Sequence, residues 1–117
     1  KQDITILSFP ELSITGYGCE DLFLAPWVSG KALEQLQLLV PQTSGITICV
    51  GLPVRVHGIV YNGVAVISNK SILGIALKQN LARDGVHYEP RWFDAWRPGE
   101  ITSIQLNGEE IRVGDLT

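Results

Sequence analysis

An α/β fold built on a mixed sheet is predicted for this chain, and three features of the sequence carry the expectation. A short apolar run over residues 4–9 (Ile4, Ile6, Leu7, Phe9) is broken by Pro10. An amphipathic segment opens at Pro26, and two further apolar runs, 59–68 and 72–77, are separated by Asn69-Lys70. The first run has the length and residue types of a strand and the second segment the period of a helix. The last two runs with their short polar connector have the composition of a hairpin, whose strands are antiparallel. A sheet containing that hairpin is mixed, unlike a purely parallel doubly wound arrangement.

Along the chain, the run 4–9 reads as a strand covered on both faces. Pro10 has no N–H to give a ladder and closes it, and Glu11 follows, with Gly16-Tyr17-Gly18 as flexible backbone behind. Glu11 therefore stands at a carboxyl end of the sheet, the edge where open α/β folds bind ligands; the plainer alternatives are a solvated loop carboxylate or a helix cap. Glu20 and Asp21 read as first-turn acids favoured by a helix dipole. Pro26 suits a first helical turn. Val28, Ala32, Leu33, Leu36, Leu39 and Val40 fall on one side of the helix, Lys31, Glu34, Gln35 and Gln37 on the other, and Pro41 ends it. Residues 46–53 form the next strand, with Cys49 as a small buried hydrophobe. Arg55 and His57 read as a polar turn before Gly58. Lys78 ends the 72–77 strand, either as a snorkelling or edge-strand charge or as a chemical group. Asn107-Gly108 marks a second hairpin, between 101–106 and 109–113, expected to be peripheral.

At 117 residues and 45% apolar, the chain is large enough for one domain with a real core. A net charge of -3, with nine Lys and Arg residues forming no run, argues against a nucleic-acid surface. Neither a long apolar span nor a signal-peptide pattern is visible, so no membrane partner is expected and the compartment reads as cytoplasmic. Cys19 and Cys49 lack metal-ligand spacing, so no metal is expected and both read as reduced thiols. Cys19, in the loop after Glu11, has no base beside it in sequence. The chain opens on Lys1-Gln2-Asp3 directly before a strand and stops at Gly114-Asp115-Leu116-Thr117. Residues 1–117 are accordingly read as a fragment of a single domain, truncated at both ends.

Pro10-Glu11-Leu12-Ser13-Ile14-Thr15-Gly16-Tyr17 resembles the first signature of the nitrilase superfamily, carbon–nitrogen hydrolases with a Glu-Lys-Cys catalytic set on an α-β-β-α sandwich. An apolar strand ending in Lys78, followed eleven residues on by Glu89, resembles the second. The resemblance implies that Glu11 is the general base, that Lys78 is the lysine stabilising the oxyanion, and that Glu89 is the additional glutamate orienting it. The loop Tyr88-Glu89-Pro90-Arg91-Trp92-Phe93, preceded by Val60-Tyr61-Asn62, is similar to the branch of the superfamily that forms the glutaminase domains of glutamine-dependent NAD synthetases; His87 stands where that branch often has Asn. Trp92, Phe93 and Trp96 read as packing that stiffens the loop.

That branch implies glutamine as substrate, a synthetase domain in the same chain as partner, and a homo-oligomer. It also implies no cofactor in this segment, ATP and deamido-NAD binding the synthetase domain, and a nucleophilic cysteine beyond the segment. Two alternatives stay open: another amidase or carbamoylase of the superfamily, and a non-catalytic scaffold that keeps the fold.

Overall fold

Alternation along the strands decides how the molecule is layered. The computed structural model describes residues 5–84 and 88–116. In chain order the elements are β1 (Ile6–Ser8), α1 (Pro26–Leu39), β2 (Thr47–Val56), β3 (Ile59–Ser68), β4 (Ser71–Leu77), β5 (Ile101–Leu106) and β6 (Glu109–Gly114), with short 3-10 turns between them. All six strands join one sheet in the order β1-β2-β3-β4-β6-β5. β1 runs parallel to β2, and β4 parallel to β6, while the β2–β3, β3–β4 and β5–β6 pairs are antiparallel. The sheet is mixed, as expected. Two reversals between β2 and β4 leave β1 and β4 pointing the same way, so their carboxyl ends share one edge of the sheet.

Ile48, Val50, Leu52 and Val54 of β2 lie across from Ile67, Ala65, Gly63 and Tyr61 of β3 on one face. Ala32 and Leu36 of α1 pack on that face, and Ile75 and Leu77 of β4 and Ile111 and Val113 of β6 extend the same buried cluster. Pro26 sits at the helix start, and a 3-10 turn at Val40–Gln42 finishes it, as the prolines predict. The other face carries Cys49, Val66 and Ala76, half-buried, and exposed Val64. Its far end is polar, with the Thr47 and Ser68 hydroxyls paired at 2.7 Å.

Four expectations are corrected. β1 is covered on one face only: Leu7 packs toward α1, but Ile6 on the opposite face is 70% exposed, and Phe9 beyond the strand is open too. Ile4 lies outside the described residues. β2 does not stop at Pro53 but runs to Val56, and His57 and Gly58 close a tight hairpin to β3, both with positive φ (50° and 80°). Pro53 is tolerated mid-strand because its nitrogen faces the side of β2 where β1, paired only with Thr47, Ile48 and Cys49, has already ended. The 101–113 hairpin is no separate arm; β6 docks on β4 through Ile75↔Val113 and widens the main sheet. Finally, Glu20 and Asp21 lie in the 3-10 turn Tyr17–Leu24 rather than in the first turn of α1, which holds no acid.

The β3–β4 turn is Asn69-Lys70, with φ of 45° and 67°. Both residues occupy the left-handed region that a type I′ turn demands, and a lysine pays a steric cost there that glycine does not. The turn is tethered by Gly45 N donating to Asn69 Oδ1 and by Lys70 N donating to Thr43 Oγ1, both at 2.8 Å, and neither bond uses the lysine side chain. Lys70→Gly should therefore stabilise the protein by about 1 kcal/mol, read as a higher urea midpoint at unchanged slope.

Candidate active site

Between β1 and β4 at the shared carboxyl edge lie two strands, β2 and β3, so at about 4.8 Å per strand the two ends are about 14 Å apart. Neither a glutamate nor a lysine side chain covers that distance alone. The chain after β1 closes it by crossing the face away from α1. Phe9 N still donates to Cys49 O at 2.9 Å, and then Ser13 Oγ accepts from Gly51 N at 3.1 Å while Ile14 N donates to Gly51 O at 3.0 Å. Where the backbone of Glu11 and Leu12 passes over β2 it lies directly on Gly51, and a Cβ there would collide with the Leu12 nitrogen. Leu12 is itself fully buried with φ of 53°, a conformation that costs energy and is held by the surrounding packing.

Glu11 is thereby delivered above β3, and Asn62 of β3 meets it: Asn62 Nδ2 donates to Glu11 Oε1 at 2.6 Å. Lys78 arrives from the other side. Its backbone N continues the β3 pairing by donating to Asn62 O at 2.8 Å, and its Nζ donates to Glu11 Oε1 at 2.6 Å and to Glu89 Oε1 at 2.8 Å. The structure thus brings together Glu11, Lys78 and Glu89, which sequence alone separates by 67 and 11 residues.

Glu89 has no exposed surface. A buried carboxylate needs donors on its oxygens, and here it has them. Oε1 accepts from Lys78 Nζ and from Ala82 N at 2.7 Å, Oε2 accepts from Asn62 Nδ2 at 3.1 Å, and Tyr17 stands near enough to feel the same carboxylate's charge. Burial pushes the Glu89 pKa up, but the bonds from Lys78 and Ala82 and the lysine charge outweigh it and hold the group below its ordinary value. Lys78 shows the mirror image. Burial pulls its pKa down, and the bonds to Glu11 and Glu89 with their negative charges more than reverse this, so the ammonium is held above the usual lysine range. Tyr17 is raised by its own burial first and then by the Glu89 carboxylate beside it.

The loop carrying Glu89 is fixed at both ends. Asp94 N donates to Val60 O and Trp96 N to Lys78 O, both at 3.0 Å, so the chain returns to the sheet beyond the end of β4. Phe93 packs on Phe23 with ring centres 4.8 Å apart, Trp92 lies 6.0 Å from Phe23, and Trp96 meets Tyr61 edge-on at 5.0 Å. With Leu12, Val28 and Val60, Phe23, Trp92 and Phe93 form a second core beside the site, which fits the stiffening role expected for the loop aromatics. Asp21 accepts from Trp92 Nε1 at 3.0 Å, which is the structural task of this acid. His87 lies outside the described residues.

Three contributors escaped the sequence reading. Tyr17 was legible as the last residue of the first signature and as part of a flexible stretch, with no role of its own, whereas it lies beside Glu89. Gly51 looked like any strand glycine. Asn62 carried the one usable signal: an amide in the interior of an apolar strand is a depleted residue type there and has to find partners.

A lysine between two glutamates, at the carboxyl edge of a mixed sheet and beside a dry aromatic cluster, is an arrangement for stabilising negative charge and moving a proton. The chain belongs to the carbon–nitrogen hydrolase family, whose pattern matches residues 1–115. Within that family it resembles glutamine-dependent NAD(+) synthetases. It is 42% identical over 100 residues to that of Arabidopsis thaliana, covering 83% of this chain and 14% of the plant protein. Against the protein of Oryza sativa subsp. indica it is 42% identical over 89 residues, 74% of this chain and 12% of that one. The crystal structure of a glutamine-dependent NAD(+) synthetase from Cytophaga hutchinsonii superposes with a TM-score of 0.92 at 46% identity, over 96% of this chain and 19% of that one. The chain thus spans only a small part of the length of these relatives.

Two outcomes follow from the geometry. Gly51→Ala should push the Glu11–Leu12 backbone off β2, costing about 1–3 kcal/mol and breaking the contact between Glu11 and Lys78; a thermal melt and a crystal structure of the variant would show both. Because the folded-state pKa of Glu89 is lowered, its contribution to stability is complete above the ordinary value of 4.5 and is lost as pH falls through the lowered folded value. Glu89→Gln should therefore weaken the protein at pH 7 and flatten the decline of stability below 4.5, as chemical denaturation across that range would record.

Proposed function

We propose that this segment is part of the glutamine amide hydrolase domain of a glutamine-dependent NAD synthetase, supplying ammonia for amidation of deamido-NAD. The observation that supports the reading above others is the Lys78 ammonium held between Glu11 and Glu89. An ammonium has three N–H donors. Two are directed at Glu11 and Glu89, and the third is left for an oxygen of a reacting amide.

In the proposed chemistry Glu11 takes the proton of a cysteine thiol contributed from beyond this segment. The thiolate attacks the glutamine amide carbon, a C–S bond forms, and the carbonyl oxygen becomes an oxyanion. Lys78 stabilises that oxygen, an effect that grows as the site dries. Glu11 returns its proton to the departing nitrogen as the C–N bond breaks and ammonia leaves. It then deprotonates the water that opens the thioester, releasing glutamate and the thiol. Glu89, fully buried and itself held by Ala82 and Asn62, keeps Lys78 charged and aimed. A glutamate in this position acts through the lysine.

The same reading assigns ATP and deamido-NAD to a synthetase domain of the full-length protein, gives this segment no cofactor, and makes the protein a homo-oligomer of the cytoplasm. Cys19 and Cys49 are free thiols, and among the described residues no helix is long and apolar enough to cross a membrane. In the full-length protein, Lys78→Ala should lower glutamine-dependent NAD formation by ~100-fold or more and leave formation from free ammonia within about twofold. Steady-state assays with each nitrogen source would separate them, and equal loss of both would make Lys78 structural.

A further inference from the structure

In the chemistry above Asn62 serves only as a partner of Glu89, yet it touches both carboxylates. Its side chain is buried, and its amide nitrogen lies 2.6 Å from Glu11 Oε1 and 3.1 Å from Glu89 Oε2. The amide has two N–H bonds and spends one on each acid. Only the nitrogen suits this position, since an amide oxygen turned the same way would meet two carboxylates. The backbone of Asn62 is committed as well, its carbonyl accepting from Lys78 N. One residue of β3 is therefore bonded to all three of Glu11, Lys78 and Glu89.

The choice of oxygen matters. Lys78 Nζ and Asn62 Nδ2 both donate to Oε1 of Glu11, each at 2.6 Å, and neither engages Oε2. A carboxylate oxygen already holding two charge-assisted or short hydrogen bonds is a poor proton acceptor, because protonating it requires one of those bonds to be given up. The other oxygen carries no such penalty. We propose that Asn62 is a positioning residue for Glu11: together with Lys78 it occupies Oε1, so that Oε2 takes and returns the travelling proton, and through its second N–H it sets the spacing between Glu11 and Glu89. This rests on Glu11 being the base of the proposed reaction.

Glu11 is reached from the chain after β1, Lys78 from the end of β4, Glu89 from the loop beyond it and Tyr17 from the 3-10 turn. These are the titratable groups gathered around Asn62. With Asn62 shortened, Glu11 loses one of its two donors on Oε1. Rotation of the carboxylate is also freed. In the full-length enzyme, Asn62→Ala should lower kcat with glutamine by roughly tenfold to a hundredfold, the effect of one hydrogen bond to a charged group, with little change in KM. Ammonia-dependent NAD formation should be unchanged. Asn62→Ser keeps a hydroxyl donor with less disturbance of the strand and should fall between the two.

The proposal is overturned if both variants keep wild-type glutamine kinetics. It is equally overturned if the hydroxyl of Asn62→Ser restores nothing over Asn62→Ala, or if both lose glutamine and ammonia use in parallel, because either pattern assigns Asn62 to packing. Lys78→Ala assayed alongside tells the two levels apart. If that variant still uses glutamine, the underlying reading fails; if it does not, and the Asn62 variants behave as wild type, only the role of Asn62 falls.

Discussion

A carboxylate with no solvent exposure can stay ionised only if donors surround it, and at Glu89 this requirement organises everything near it. Its donors come from three places: Lys78 at the end of β4, Asn62 in the middle of β3 and Ala82 at the start of its own loop. None of the three can move without leaving a buried charge short of a bond. The loop is therefore drawn into one shape by its most polar side chain, and its aromatic residues only need to cover what that shape exposes. Glu89 N donating to Ala82 O at 2.9 Å, opposite Ala82 N donating to the carboxylate, closes the loop neck with a reciprocal pair.

The second constraint is distance. A β1–β4 separation of two intervening strands would keep Glu11 and Lys78 apart if both simply projected from their strand ends. Gly51 removes the obstacle by letting the main chain lie on the sheet, and the left-handed Leu12 turns it there. Leu12 then buries its side chain in the same cluster as Phe23, Trp92 and Phe93. The segment that carries one member of the site and the loop that carries another are thus packed against each other, so displacement of either is felt by both. A strained residue inside a dense apolar cluster is stable because the cluster leaves it no roomier alternative.

Much of this was readable from residue order. The helix from Pro26, the β3–β4 hairpin and the convergence of Glu11, Lys78 and Glu89 follow from periodicity, turn composition and the resemblance of two short stretches. The unread parts share a cause: they depend on which residues face each other across strands. Pro53 looked like a strand end because a missing N–H matters only if a neighbour needs it, and β1 has gone by that point. The turn at His57-Gly58 was legible, but Arg55 looked like part of it because its polarity hides a place in β2, where its guanidinium donates to Gly58 O and Leu24 O. Nothing in 109–113 announces that Val113 will lie beside Ile75. Asn62 and Tyr17 are single polar residues whose value appears only when the partners are in place.

The exposure of the three charged groups divides their duties further. Glu11 and Lys78 keep 41% and 31% of their side chains in solvent, whereas Glu89 keeps none. A substrate settling over the site would strip water from Glu11 and Lys78 and strengthen their attraction, since the local dielectric falls. It would leave Glu89 where it was, already dry and already bonded. The member of the cluster that an arriving amide can perturb is therefore the proposed base, and the member that fixes the lysine is insulated from it. An ammonium bonded to two carboxylates of opposite accessibility can follow the shift in charge on one side while its position and protonation are held from the other.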